Sequence, residues 1–161
     1  MSPIEAFNAE LKIEAAITRK MLERVPQASL GWRPHERSRT LGDVATHIAN
    51  LPGLFLVPLL HDEFNHNDYS SRTDTVTAIV DTFDRNVAAA HETLGTLSEE
   101  QLLAPWRYRY GDHVVFELPR FVVIRTTALN HLIHHRGQLS VYLRMLDVPL
   151  PSVYGPSADE P

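Results

Sequence analysis

Three histidines fall within five positions of the segment LNHLIHHRGQLSVYLRML, residues 129–146. Imidazoles in an otherwise apolar helix serve as hydrogen-bonded core groups, pH sensors, acid–base catalysts or metal ligands. His131 and His135 stand about 40° apart around a helix axis and one turn apart along it, so both rings can reach one point, at the i, i+4 spacing of helical zinc sites. His134 lies about 100° around from His135, so the three rings do not converge. Phe121, Ile124, Ala128, Leu139, Tyr142 and Leu146 continue the face that carries His131 and His135, which makes that pair the inward one and His134 the flanking one.

A third ligand has to come from another element. His47 is the best candidate, because Val44, Ile48 and Leu51 set it on or beside an apolar stripe. Three neutral imidazoles leave a tetrahedral ion one open position for water or substrate, the arrangement of a catalytic zinc site; nitrogen donors also admit nickel, iron or copper. The bland reading is that these are core histidines with ordinary partners. Burying three of them without partners carries a desolvation cost that a metal removes, which favours the metal reading. His35, His61, His66, His91 and His113 fall in loops or on less constrained faces and are read as surface or capping residues.

Other chemistries find little support. A zincin protease places a glutamate base directly after the first histidine, where this chain has Leu132. No GxSxG elbow, Walker loop or GxGxxG turn occurs, and seven glycines leave little material for phosphate-cradling loops. Glu99-Glu100 and Asp159-Glu160 read as solvated turn and terminus rather than acid–base pairs. Tyr142 and Arg136 are the candidate catalytic side chains: the phenol could orient a ligand on the metal or simply pack in the core. Arg136 could bind substrate, orient a metal ligand or hold the C-terminal tail. Asn50 and Gln138 are candidates to steady the metal-binding histidines from behind. Trp32 and Trp106 read as packing anchors first and pocket walls second.

The elements that position these residues read as helices. Ser2, Pro3 and Glu5 supply a cap, a first-turn proline and a near-capping-box acid for a helix running toward Pro26. Ile4, Phe7, Leu11, Ala15, Thr18 and Leu22 form its core stripe, leaving Glu5, Lys12, Glu14, Arg19 and Lys20 to water. Thr40 and Asp43 open a second helix, which Pro52 and Pro58 should kink or break. A third helix is expected over about residues 73–96, after the polar segment HDEFNHNDYSSR, with a short capped turn at Ser98 and Gln101. WRYRYGDHVVFEL alternates around Gly111-Asp112 as an excursion or short hairpin, and Pro119 opens a fourth long helix, 119–146. The expected fold is all-α, an antiparallel four-helix bundle in a single domain, 1–161, with a C-terminal tail over about 147–161.

Composition bounds the partners. The chain has 161 residues, 43% hydrophobic and 22% charged, an ordinary globular balance. A net charge of −5 with only Lys12 and Lys20 as lysines argues against nucleic acid. The absence of cysteine removes thiolate sites and fits a reducing interior, so cytoplasm is the expected location. The run IANLPGLFLVPLL is too short and proline-interrupted to span a bilayer, so no membrane role is expected. The continuous apolar run LPGLFLVPLL within it suggests a homodimer that covers what one core leaves bare.

The segments TLGDVATHIANL and NHLIHHRGQLSVYLRMLDVPLPSVYGPSADE, and the layout between them, resemble the DinB/YfiT-like superfamily of four-helix metalloenzymes, a family distinct from the similarly named polymerase. GWRPHERSRTLGDVATH is similar to the family's tryptophan-containing lead into its first ligand. The resemblance implies metal ligation by His47, His131 and His135, the last two in an HxxxH that runs into Arg136-Gly137-Gln138. It further implies one divalent transition metal per chain, zinc first with nickel or iron as alternatives, and a low-molecular-weight thiol as a possible cosubstrate. Dimers are common in the family. Two function classes follow: a metal-dependent thiol transferase or hydrolase acting on a small molecule, and a non-catalytic metal- or ligand-binding stress-response protein.

Overall fold

The computed structural model describes residues 1–68 and 73–160. The end of the polar segment expected as a loop, residues 69–72, lies outside the described residues, as does the last residue. The first helix begins where the capping signal stands: Ser2 Oγ accepts the Glu5 amide and Glu5 accepts the Ser2 amide, with Pro3 in the first turn, so α1 runs Pro3–Glu23. Thr40 and Asp43 form the same reciprocal box ahead of α2, Leu41–Phe55. Thr75 caps α3, Val76–Thr96, and Ser98 with Gln101 caps the short α4, Glu99–Leu103. The final helical stretch is continuous but not uniform. A three-residue α5, Arg120–Val122, leads into a π-helical segment, Val123–Leu129, and then α6, Asn130–Met145. Asp147, in the left-handed region at φ 55°, ends it.

The π segment explains one departure from expectation. An extra residue per turn shifts the phase of side chains upstream of it relative to an α-helix. Ile124, Ala128, Leu139 and Tyr142 are buried as the stripe requires, whereas Phe121 is rotated out to 40% exposure.

The fold is not strictly all-α. The excursion before the last helix is a true hairpin, β2 (Pro105–Tyr110) against β3 (His113–Pro119), turning at Gly111 with φ +58°, where a side chain would be strained. A third strand, β1 (Glu63–Asn65), adds in parallel to β2, giving the order β1-β2-β3. The alternation seen in WRYRY sets Arg107 and Arg109 against Glu63 and Glu117, while Trp106, Tyr108 and Phe116 stack on the other side. Strand β1 lies within a polar segment and is a strand only through this non-local pairing. Arg120, 2% exposed, ties the sheet to the bundle by donating to the carbonyls of Leu59, His61, Ala104 and Pro105 and to Asp62.

α2 is the central helix. It passes through Pro52 and ends three residues later, and Pro58 enters a 3-10 turn. At Gly53 a Cβ would meet Asn86 Oδ1 at 2.7 Å, so glycine permits the close approach of α3, whose Asn86 also donates to the Ala49 carbonyl. The stretch Leu41–Leu60 has the length and hydropathy of a membrane span, but 72% of its most apolar window is buried inside the fold, as a core helix requires. The apolar run that suggested a dimer is largely covered by the chain's own elements, with Val57 half-buried and Leu60 exposed.

Glu14 also departs from expectation. It is buried against Arg136 and so does not face water. The tail after Asp147 explains this: Tyr154 folds back so that its hydroxyl meets both Glu14 and Arg136. Arg144–Asp159 and Arg24–Glu160 fasten the end of the tail.

Candidate metal centre

α2 presents His47 toward α6, and α6 presents His131 and His135 toward α2. One ring nitrogen from each of the three lies within 4.8 Å of the other two. Ring centroids are 4.5 Å (His47–His135), 4.8 Å (His131–His135) and 5.1 Å (His47–His131) apart. All three are half-buried, and His134 is exposed beside them. Leu132, at the position of a zincin base, is buried in the core.

The donor set fits a divalent ion. Zn–N bonds of about 2.0–2.1 Å meeting at the tetrahedral angle separate two donor nitrogens by about 3.3 Å. His47 Nε2 and His131 Nε2 are 3.3 Å apart. The far side of each α6 imidazole is engaged: His131 Nδ1 donates to the Thr127 carbonyl at 3.2 Å, and His135 Nδ1 donates to Gln138 Oε1 at 2.9 Å. Those bonds select the tautomer that leaves Nε2 free toward the cluster. The π segment delivers Thr127 to this position, one turn before the ligand.

Behind Gln138 the chain of contacts continues. Gln138 Nε2 donates to the Tyr142 hydroxyl at 3.4 Å, and that hydroxyl donates to the Arg39 carbonyl at 3.3 Å. Trp32 packs edge-on against Tyr142, ring centroids 5.7 Å apart. Tyr142 therefore reaches the cluster through Gln138 and His135, with its hydroxyl already bonded. Arg136, one residue after His135, points into the bundle on the α1 side and is held by Glu14 and Tyr154; of the roles open to it from sequence, holding the tail is the one it fills. Asn50, buried one turn beyond His47, lines the adjoining cavity.

Electrostatics favour uncharged ligands. Burial, followed by the charges of His135 and Arg39, pushes His47 down to about 3 from an ordinary 6.5. Burial is also the leading cause that lowers His131 and His135, and Arg39 contributes to both. Neutral imidazoles are the form that binds a metal.

Three neighbours were not singled out by sequence reasoning. Arg39 lines a cavity of about 700 Å³ that also contains His47, Thr46 and Asn50. His66, read as a surface residue, bonds through Nδ1 to the Tyr108 hydroxyl at 2.6 Å. Phe55 lies between Tyr108 and His131, its ring centroid 5.4 Å and 5.9 Å from theirs. Arg39 directly precedes the Thr40 cap of the helix that carries His47, a proximity visible in sequence; the His66–Tyr108 pair depends on the sheet and had no local signal.

The comparisons agree with this architecture. The Bacillus subtilis protein YrdA is 23% identical over 164 residues, covering 98% of this chain and 91% of its own length. A DinB-like protein from Bacillus cereus ATCC 10987 superimposes with a TM-score of 0.74 at 27% identity, covering 93% of this chain and 97% of that one. A DinB-like protein of Bacillus subtilis (TM-score 0.74, 20% identity, 92% and 97% coverage) and a DinB-family member from Exiguobacterium sibiricum 255-15 (0.72, 19%, 94% and 97%) share the fold. The DinB family profile matches residues 2–161 from end to end, and the chain belongs to the DinB family.

Proposed function

We propose that this protein is a divalent-metal-dependent enzyme in which His47, His131 and His135 hold one ion, zinc in the first instance, and that it transfers a thiol to an electrophilic small molecule in preference to hydrolysing one. The observation that carries the reading is the convergence of three uncharged imidazoles from two helices beside a cavity of about 700 Å³. An ion with three neutral ligands keeps its charge and, when bound, lowers the pKa of a water or thiol ligand. The chain's own residues do the rest. Thr127 and Gln138 fix the two α6 imidazoles, and burial keeps all three histidines unprotonated near neutral pH. No carboxylate joins the cluster among the described residues, so a water nucleophile lacks the base that zincins supply. A thiol ionises far more readily and needs less help.

The test starts from protein purified without a histidine tag. About one transition metal per chain is expected by elemental analysis, abolished in the His131→Ala/His135→Ala double variant and retained in His134→Ala. Full occupancy in the double variant overturns the ligand assignment. Metal-loaded protein is then screened against electrophiles with glutathione, bacillithiol, mycothiol or no thiol. Thiol-independent hydrolysis overturns the transferase preference, and metal-dependent turnover nowhere in the panel favours a binding role.

A further inference from the structure

We propose that Arg39 forms an anion-binding subsite beside the three-histidine cluster, and that the small molecule taken into the adjoining cavity carries a carboxylate. The proposal rests on the metal-site reading above and names the substrate class of that site. Arg39 and His47 line the same cavity, so one small molecule can touch the guanidinium while its other end faces the cluster.

The backbone at and just after Arg39 is held by several bonds. Its carbonyl accepts the Tyr142 hydroxyl, the next amide, that of Thr40, donates to Asp43, and the amides of Leu41 and Gly42 donate to the Trp32 and Leu30 carbonyls at 2.8 Å each. The same Tyr142 hydroxyl is tied through Gln138 to His135, so the presentation of Arg39 and the orientation of a ligand histidine share one network.

The side chain contrasts with most other arginines of the chain. Arg19, Arg24, Arg107, Arg109, Arg120, Arg125, Arg136 and Arg144 each hold a carboxylate. The Arg39 guanidinium has no such partner among the described residues. Its charge is nonetheless felt at all three imidazoles. A lone cation beside a cation site weakens metal binding unless an anion bridges the two. A carboxylate does so with two parallel hydrogen bonds to the guanidinium fork. Of the two acids on the cavity lining, Asp43 is committed to the Thr40 cap and Asp74 has interactions of its own.

Cobalt(II)-substituted protein provides the test, because its visible spectrum reports a thiol at the metal without requiring turnover. 3-Mercaptopropionate and 2-mercaptoethanol differ chiefly in the carboxylate. Wild-type protein is expected to prefer the carboxylate by about tenfold or more, the scale of one charge-assisted pair. Arg39→Gln is expected to erase that preference, read as the ratio of the two affinities, while cobalt stays bound, and Arg39→Lys to restore part of it. Equal affinities in the wild type, or an undiminished preference in Arg39→Gln, overturn the subsite. Failure to take up cobalt counts against the metal reading instead. The subsite is then decided on metal-free protein, where a saturable shift of the Arg39 Nε–H resonance on titration with 3-mercaptopropionate supports it and an unmoved resonance overturns it.

Discussion

His135 and Arg136 are neighbours in sequence, yet the two sides of α6 they occupy are built on different rules. On the α2 side, His135 joins two other half-buried imidazoles whose nitrogens face one another, and one of them, His47, lines an open cavity. On the α1 side, Arg136 is 2% exposed and fully engaged by Glu14, Thr18 and Tyr154. One side keeps ring nitrogens available; the other commits both terminal guanidinium nitrogens to hold α1, α6 and the tail together. Rotation by about 100° per residue is enough to separate a site meant to bind from a lock meant to stay shut.

The sharpest way to break the comparison is to open the lock alone. Arg136→Met leaves the Glu14 carboxylate buried without its counter-ion, and losing one partner of such a pair costs about 3–5 kcal/mol. Urea unfolding of Arg136→Met should show a loss of that size, and Glu14→Leu should behave alike. The double variant, which removes both charges, is expected to recover much of the stability. Metal stoichiometry of the folded protein should remain about one in the double variant. A double variant no more stable than either single one would mean that the two charges do not act as a pair.

The two sides also differ in how legible they were. The inward pair of histidines could be read because they share a 3.6-residue period with Ile124, Ala128, Leu139 and Tyr142, and His47 because it sits on its own helix's apolar stripe. Capping boxes at Ser2 and Thr40 and the hairpin at Gly111 were local signals and appear where they were expected. Glu14 misled because a charge on an amphipathic helix is ordinarily solvated; only Arg136, 122 residues away on α6, gives it a buried counter-ion, to which the returning tail adds the Tyr154 hydroxyl. Strand β1 and the His66–Tyr108 contact have the same non-local origin. Phe121 misled for a different reason, since a π segment resets the helical phase without leaving a mark in residue type.

The cluster side can be sharpened by acid. All three histidines have native pKa values below the ordinary 6.5, His47 at about 3. Above pH 6.5 neither the native nor the unfolded chain protonates them, and their contribution is constant. As pH falls below 6.5 the unfolded state takes up protons that the native state refuses. Metal-free protein therefore loses stability down to the native pKa values, at up to about 1.4 kcal/mol per pH unit for each group. Denaturant midpoints measured from pH 7.5 to pH 5 should fall more steeply for wild type than for a variant with His47, His131 and His135 replaced by glutamine. Parallel slopes would show that the cluster is not held neutral.

The smallest expected effect concerns the network behind His135. Gln138→Leu removes the acceptor that fixes the His135 tautomer, and loss of such a partner weakens metal binding by about 10–100-fold. Tyr142→Phe leaves Gln138 in place and removes only the hydroxyl that steadies it, so its effect should be weaker, below about tenfold. Competition with a chelating dye measures both affinities. The order matters more than either size: the influence runs from Arg39 through Tyr142 and Gln138 to His135, and should fade with each link away from the imidazole. A Tyr142→Phe loss equal to that of Gln138→Leu would mean that the phenol acts on the bound ion directly, making it part of the site itself. A Gln138→Leu variant with unchanged affinity would mean that helix packing alone orients His135.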